Sequence, residues 1–245
     1  MIVLGIETSG LEGSVALVDH ERLLEVRHLN QAGRRHAQAL VFEIGELLKS
    51  HGIQPAKVSL VAVSKGPGSF TGLRVGMVCA KTFAYATGSQ FASVDTFAAI
   101  ATNAPDEYLR LRVIEDAQRD EFFVGEYHRE GSPRWQQVAP IQIISNPDLL
   151  ALQSDSDLVI GPGLKKLVLG GARVRSLDDP DVHRPRAAII AKLGLDQITQ
   201  GIGQSPSQDT DFWRAGPFYL RLSAAEEKRE LLAKQGLPTN ETTAG

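Results

Sequence analysis

Apolar and polar residues change period several times along the chain, and each change marks an element. Ile2-Val-Leu-Gly-Ile6 is almost wholly apolar and β-rich, the pattern of a central strand buried on both faces. Ser14-Val-Ala-Leu-Val-Asp19 and Leu23 to Leu29 follow across short turns at Leu11-Glu-Gly13 and Asp19-His-Glu-Arg22, so the chain opens as a meander of strands. Between Arg34 and Gly52 the period lengthens. Leu40, Val41, Ile44, Leu47 and Leu48 fall on one face of a helix, with Gly52 at its stop and Pro55 just beyond. Val58 to Val63 predicts a fourth strand, and a glycine-rich turn leads from it into a second helix that runs to about Gly88. Gln90-Phe-Ala-Ser-Val94 reads as a fifth strand, and Thr96 to Thr102 begins another helix.

The order β-β-β-α-β-α-β-α is that of the ribonuclease-H-like unit, which in duplicate builds the actin, sugar-kinase and Hsp70 (ASKHA) fold. The fold class expected is therefore α/β, with two subdomains and mixed sheets. A second unit starts near Arg110. Leu111-Arg-Val-Ile-Glu115 and Phe122-Phe-Val-Gly-Glu-Tyr127 predict strands joined at Asp116-Ala-Gln-Arg-Asp120. Trp135 to Ile144 supplies a third strand, and Asn146-Pro-Asp148 caps a short helix over Leu149 to Leu152. Leu158-Val-Ile160 runs into Gly161-Pro-Gly163, an echo of Gly66-Pro-Gly68 that hints at duplication. Ala187 to Gly201 predicts a helix. We divide the chain into an N-terminal subdomain, 1–108, completed by about 205–223, a smaller subdomain, 109–204, and a frayed tail, 224–245.

Composition narrows the functional classes. The chain has 245 residues, a 42% hydrophobic share and a formal charge of −3, so it is not one that grips nucleic acid unaided. A single cysteine, Cys79, excludes an internal disulfide and suits a reducing compartment. Met1-Ile-Val-Leu-Gly-Ile6 lacks a basic leader and reads as a strand rather than a signal peptide, and no apolar run reaches membrane-spanning length. A cytoplasmic location is the expectation.

The densest chemistry is Lys65-Gly-Pro-Gly-Ser-Phe-Thr-Gly-Leu-Arg-Val-Gly76. A glycine turn between strand and helix directs free backbone N–H groups at an anion, so Thr8, Ser9, Gly66, Gly68, Ser69 and Thr71 are candidate anion or nucleotide contacts. The stretch lacks the Gly-Lys-Ser/Thr of a P-loop and the spacing of a dinucleotide loop. The plainer reading is a tight turn whose glycines supply unusual backbone angles, with Thr71 as a cap for the helix. Glu7, at the end of the first strand, is either a phosphate or metal-water contact or a carboxylate capping nearby backbone. The six histidines are scattered with no i, i+3 or i, i+4 pair, so no metal is assigned and a metallopeptidase is poorly supported. Ser69 is not in a G-x-S-x-G setting, which weighs against a serine hydrolase.

Gly66-Pro-Gly-Ser-Phe-Thr-Gly-Leu-Arg-Val-Gly76 resembles the signature of the bacterial TsaB (YeaZ) family, a non-catalytic subunit of the machinery that makes N6-threonylcarbamoyladenosine in transfer RNA. Other stretches agree in order: Ile6-Glu-Thr-Ser9 with Ser14-Val-Ala-Leu17, Arg35-His36, Asp116-Ala-Gln-Arg-Asp-Glu121 with Gly125-Glu-Tyr127, and Pro217-Phe-Tyr-Leu-Arg221. The catalytic paralogue, the TsaD family, shares the fold, and Glu7-Thr8-Ser9 is closer to its opening. It is a longer chain, and it carries a metal-binding histidine pair after the fifth strand, where this chain has Val94-Asp-Thr-Phe-Ala-Ala-Ile100.

The resemblance implies a scaffold rather than an enzyme, with no catalytic residues, no metal and no intrinsic cofactor, and with ATP or ADP at the interface of the complex. It implies as partners a TsaD-type catalytic subunit, a TsaE-type ATPase subunit and transfer RNA through the complex, and a homodimer when the chain is alone. In the family the first two helices form the interface. Carried onto this chain, the interface set is His36, Leu40, Leu73, Arg74, Gly76, Met77, Ala80, Phe83, Ala84 and Tyr85. Small residues there permit close helix approach, and Leu73, Met77, Phe83 and Tyr85 serve as anchors. The other reading is that Leu40, Ile44 and Leu47 face the chain's own sheet. An alternative of a different class is a small-molecule kinase or ATPase of the same fold, with Thr8, Ser9 and the glycine turn on phosphates.

Overall fold

The computed structural model describes residues 1–29, 36–129, 131, 134–152, 157–202, 204–206 and 210–221. The expected tail, 224–245, and the side chain of His36 lie outside them.

The first unit is built on a mixed five-stranded sheet in the order β3-β2-β1-β4-β5. Its strands are β1 (Ile2–Glu7), β2 (Ser14–Asp19), β3 (Arg22–His28), β4 (Val58–Gly66) and β5 (Gln90–Asp95). β1 pairs antiparallel with β2 from Ile2↔Asp19 to Glu7↔Ser14, and parallel with β4. β4 pairs parallel with β5, so Glu7, Lys65 and Asp95 sit together at the carboxyl ends of three parallel strands, where α/β folds place their ligands.

Alternation decides which helix covers which face. Leu4, Ile6, Val61 and Val63 pack with Leu40, Ile44 and Leu47 of α1 (His36–Ser50) and with Met77, Ala80 and Ala84 of α2 (Phe70–Thr87). Val3, Leu60 and Ala62 pack on the other side with Ile190 and Ala191 of α5 (Ala187–Thr199). Helix α5 therefore packs on the first sheet, although it lies within the 109–204 span assigned above to the second subdomain.

The second unit repeats the core of the first. β6 (Arg110–Gln118) and β7 (Glu121–His128) are antiparallel, as β1 and β2 are. β10 (Leu158–Ile160) lies parallel to β6, as β4 lies to β1. The Gly-Pro-Gly tripeptides follow the two equivalent strands, but after β10 the chain makes only a 3-10 turn, Pro162–Lys166, where α2 follows β4. The segment predicted as one strand is two, β8 (Gln136–Gln137) and β9 (Gln142–Ser145), both on β7, with Pro140 between them. Short helices α3 (Thr96–Ala101) and α4 (Asn146–Ala151) complete this part, and α6 (Thr210–Arg214) begins the closing segment. Phe97 and Ile100 of α3 join Leu111, Val113 and Tyr127 in the core of the second unit.

Candidate functional site: the glycine turn and the outer face of the second helix

The turn after β4 contains a cis Gly66–Pro67 bond. Its amides are largely used inside the chain. Gly66 N donates to Thr96 Oγ1 at 3.1 Å, and Ser69 N donates to the carbonyl of Ser9 at 2.7 Å. Ser69 is the cap of α2, because its Oγ accepts from Gly72 N at 3.2 Å. The helix thus starts at Phe70, earlier than expected, and Thr71, the predicted cap, is exposed in its first turn.

Thr8 is buried and turns into the helix, donating from Oγ1 to Gly72 O at 2.8 Å. A Cβ on Gly72 would lie 1.9 Å from Thr8 O, and one on Gly76 would lie 2.2 Å from Thr8 Oγ1. These glycines let the end of β1 seat against α2. The structure brings together Thr8, Ser9, Gly66, Gly68 and Ser69, with contacts that bind the turn to β1.

Glu7 is fully buried beside them. Its Oε1 accepts from Ser9 N and Ser9 Oγ, both at 2.5 Å, while Oε2 has no hydrogen-bond partner among the described residues. Burial raises its pKa, against hydrogen bonds from Ser9 and Ser64. On β6 of the second unit, burial pushes Glu115 up to about 7, an effect that the charges of Asp116 and Glu7 increase and that of Lys166 opposes.

Asp95 is also raised by burial. Its Oδ1 caps α3 through Ala98 N at 2.9 Å and accepts from Tyr127 OH at 3.3 Å, which joins the two units. Thr96 is occupied with Gly66 N, and no histidine stands between Val94 and Ile100, so these side chains do not fit a metal. A cavity of about 480 Å³ opens between Lys65, Asp95, residues 137–141 and Phe218. A second, of about 390 Å³, lies under the β6–β7 turn beside Asn146 and Lys166.

Helix α2 divides cleanly. Gly72, Leu73, Gly76, Met77, Ala80 and Ala84 are buried, most of them against the sheet, and Leu40 of α1 is buried likewise. Of the expected interface residues, Arg74 and Tyr85 are exposed and Phe83 is half-buried. The outer stripe that emerges is Thr71, Val78, Thr82, Tyr85 and Ala86, with Val78 and Tyr85 at 65% and 64% exposure. On α1, among the described side chains, the exposed large apolar residues are Val41 at 64% and Phe42 at 45%. Val41, Phe42 and Val78 were not among the predicted interface residues; Val41 was expected on the face of Leu40 and Ile44 but is exposed, and Val78 stands four residues after Arg74 and seven before Tyr85, on the same helix face.

Arg74 and Lys81 are the only charged residues of α2, and the closing segment engages both. Lys81 Nζ donates to the carbonyls of Trp213 and Ala215, each at 2.9 Å. Arg74 lies 4.0 Å from the ring centre of Phe70 and donates from Nε to Tyr219 OH at 3.0 Å. Trp213 meets Tyr85 edge-on at 5.5 Å, and Tyr219 packs on Phe70 at 4.7 Å. The remaining outer face of α2 carries no charge.

Residues 28–183 match the model of the family described as TsaD, tRNA N6-adenosine threonylcarbamoyltransferase. The tRNA threonylcarbamoyladenosine biosynthesis protein TsaB of Bacillus subtilis is 26% identical over 235 residues, covering 93% of this chain and 97% of its own. The TsaB of Escherichia coli K12 is 28% identical and covers 93% of this chain and 98% of its own. A tRNA N6-adenosine threonylcarbamoyltransferase of Erythrobacter litoralis is 31% identical, but over only 38% of this chain and 32% of its own. The solved structure of YeaZ from Pseudomonas aeruginosa superposes with a TM-score of 0.72 at 25% identity, over 89% of this chain and 99% of that one. By the family model that it matches and by these full-length relatives, the chain belongs to the TsaD family of threonylcarbamoyltransferase-like proteins and, within it, to the TsaB (YeaZ) branch.

Proposed function

We propose that this chain is the docking subunit, not the catalyst, of the machinery that forms N6-threonylcarbamoyladenosine in transfer RNA. Membership of the TsaB branch supports the pathway. The single observation that carries the docking role is the outer face of α2, an uncharged stripe around Val78 and Tyr85 whose neighbouring cations are tied to the closing segment. A helix face of this composition is stabilised by a second helix face and gains little from water. The partner in this reading is the TsaD-type catalytic subunit, and the exposed Val41 and Phe42 of α1 are offered to the same partner. Without it, two copies of the chain pair through the same face. The TsaE-type ATPase subunit and transfer RNA join through the complex, and ATP or ADP belongs to its interface.

The non-catalytic part of the proposal rests on the side chains at the start of α3. Asp95 and Thr96 are engaged in capping and in holding the glycine turn, and they offer no metal ligand set. The test is to mix the purified chain with the catalytic subunit of its own organism and measure mass by light scattering. The expected result is a stable complex at the summed mass. Two folded proteins that elute unchanged would overturn the proposal.

A further inference from the structure

The closing segment, residues 212–221, spans both units. At one end it lies on α2 through Trp213, Ala215 and Tyr219. In the middle Phe218 N donates to Lys65 O at 2.7 Å, beside the glycine turn. Leu220 then packs into the core of the second unit. At the far end Arg221 donates to the carbonyls of Ala117 and Gln118 and to Glu121 Oε2, gripping the β6–β7 turn.

That turn needs a grip. Gln118, Arg119 and Asp120 are consecutive non-glycine residues in the left-handed region, with φ of 67°, 57° and 57°. L-residues adopt this conformation singly and at a cost, so a run of them persists only where the surroundings over-determine it. Asp116 Oδ1 accepts from Gln118 N at 2.9 Å, Lys166 pairs with Asp116, and Asn146 N donates to Asp120 O at 3.1 Å. Arg221 is the one of these holds that is anchored in turn on α2, through Tyr219 two residues earlier. The turn walls the cavity of about 390 Å³ beside Lys166 and Asn146.

We infer that residues 213–221 are a strap that makes the outer face of α2 and the strained β6–β7 turn one coupled element, with Arg221 as the positioning residue. The inference rests on the reading of α2 as the docking face. A partner seated on Val78 and Tyr85 also restricts Trp213, which meets Tyr85 edge-on, and the Arg74–Tyr219 pair. The loss of freedom passes along a segment held at Trp213 and Ala215 by Lys81, at Phe218 by Lys65 O and at Leu220 by the core of the second unit, and the turn is stiffened where Arg221 holds it. Docking in the first unit then sets the shape of the cavity wall in the second.

Hydrogen exchange on the full chain, alone and with the catalytic subunit, tests this through the peptides 70–87 and 115–122. In the native chain both should slow on complex formation, the second by about fivefold or more, the lower end of ordinary coupling between sites. In Arg221→Gln the helix peptide should slow as before while the response of the turn is lost. A merely structural role would loosen the turn equally in the free and bound states and leave the response intact. Tyr219→Phe removes only the hydroxyl that receives Arg74, and it should at least halve the response even if Arg221→Gln does not fold. A native turn that ignores the partner, or a response unchanged in both variants, overturns the strap and leaves docking standing. A helix peptide that never slows overturns the docking reading itself.

Discussion

The guanidinium of Arg74 donates a 3.0 Å hydrogen bond to the hydroxyl of Tyr219, a residue far along the chain that reaches back to cover the flank of α2. Lys81 is used in the same way, by the carbonyls of Trp213 and Ala215. With both cations of the helix satisfied internally, the face left for a partner is apolar and neutral. Association through it should depend little on ionic strength, since Val78 and Tyr85 are uncharged and the two cations of α2 lie to the flank, engaged by the closing segment. We expect the dissociation constant with the catalytic subunit to change by less than about threefold between roughly 50 and 500 mM salt. A steep salt dependence in a titration series would place the contact elsewhere.

Val78 and Met77 are adjacent in sequence and opposite in consequence. Val78 is exposed at the centre of the stripe, and Met77 is buried at 3%. Val78→Asp should weaken the complex by about thirtyfold, or about 2 kcal/mol, with an unchanged melting temperature. Met77→Asp puts a charge into the core and should cost more than about 3 kcal/mol of stability. Calorimetry of binding beside thermal melts of both variants checks the pair.

This division of α2 shows where the sequence was informative and where it was not. Ile2 to Ile6 and Val58 to Val63 were legible as buried strands because near-continuous β-branched runs fit little else. The stripe Leu73, Met77, Ala80, Ala84 has helical spacing, yet the helix is apolar almost all round, so the sequence did not say which side faces the sheet. The structure buries these four residues within the chain and leaves Arg74 and Tyr85 of the expected set exposed. Ser69 and Thr71 are both hydroxyl residues at a helix start, and only the approach of Ser9 O to Ser69 N selects the cap. The strap was not legible at all: Tyr219 and Trp213 act on residues more than a hundred positions earlier, and a polar-aromatic segment carries no period that names its partner. Helix α5 showed its amphipathic pattern, but a pattern does not specify which of two sheets it covers.

Gly76 is the tightest test of how β1 meets α2. A methyl group there would sit 2.2 Å from Thr8 Oγ1, and Thr8 is held by its own bond to Gly72 O. Gly76→Ala gains helix propensity but cannot be accommodated without moving the strand end or the helix. We expect a net loss of about 2 kcal/mol, which for a chain of this size lowers the melting temperature by roughly 4–8 °C. A melting temperature equal to or above that of the native protein would show that the two elements are not in this contact.

Cys79 is the lone thiol, and burial pushes its pKa up to about 11. At pH 8 its thiolate fraction is then on the order of two hundredfold below that of a free thiol. Labelling with a chromogenic disulfide in the folded protein should be slower by at least that factor and should recover in denaturant. Rapid labelling of the native chain would mean that α2 opens at this point.

Glu7 and Glu115 both have carboxyl groups held above their ordinary range, the second at about 7. The direction of the pH effect follows. Between the unfolded value near 4.5 and the folded value near 7, the folded chain keeps a proton on Glu115 that the unfolded chain releases. The stability that protonated Glu115 contributes is therefore present below the unfolded pKa and is lost as pH rises to about 7, beyond which the loss is constant. Glu115→Gln keeps an uncharged side chain of the same shape, with an oxygen to accept from Asp116 N as Glu115 Oε1 does at 3.1 Å. The substitution should leave stability nearly unchanged at pH 5 and raise it at pH 8, by on the order of 2 kcal/mol. Urea denaturation at the two pH values measures the difference, and a variant whose stability tracks the native protein at both would show that Glu115 is hydrated and not held in the low-dielectric cleft.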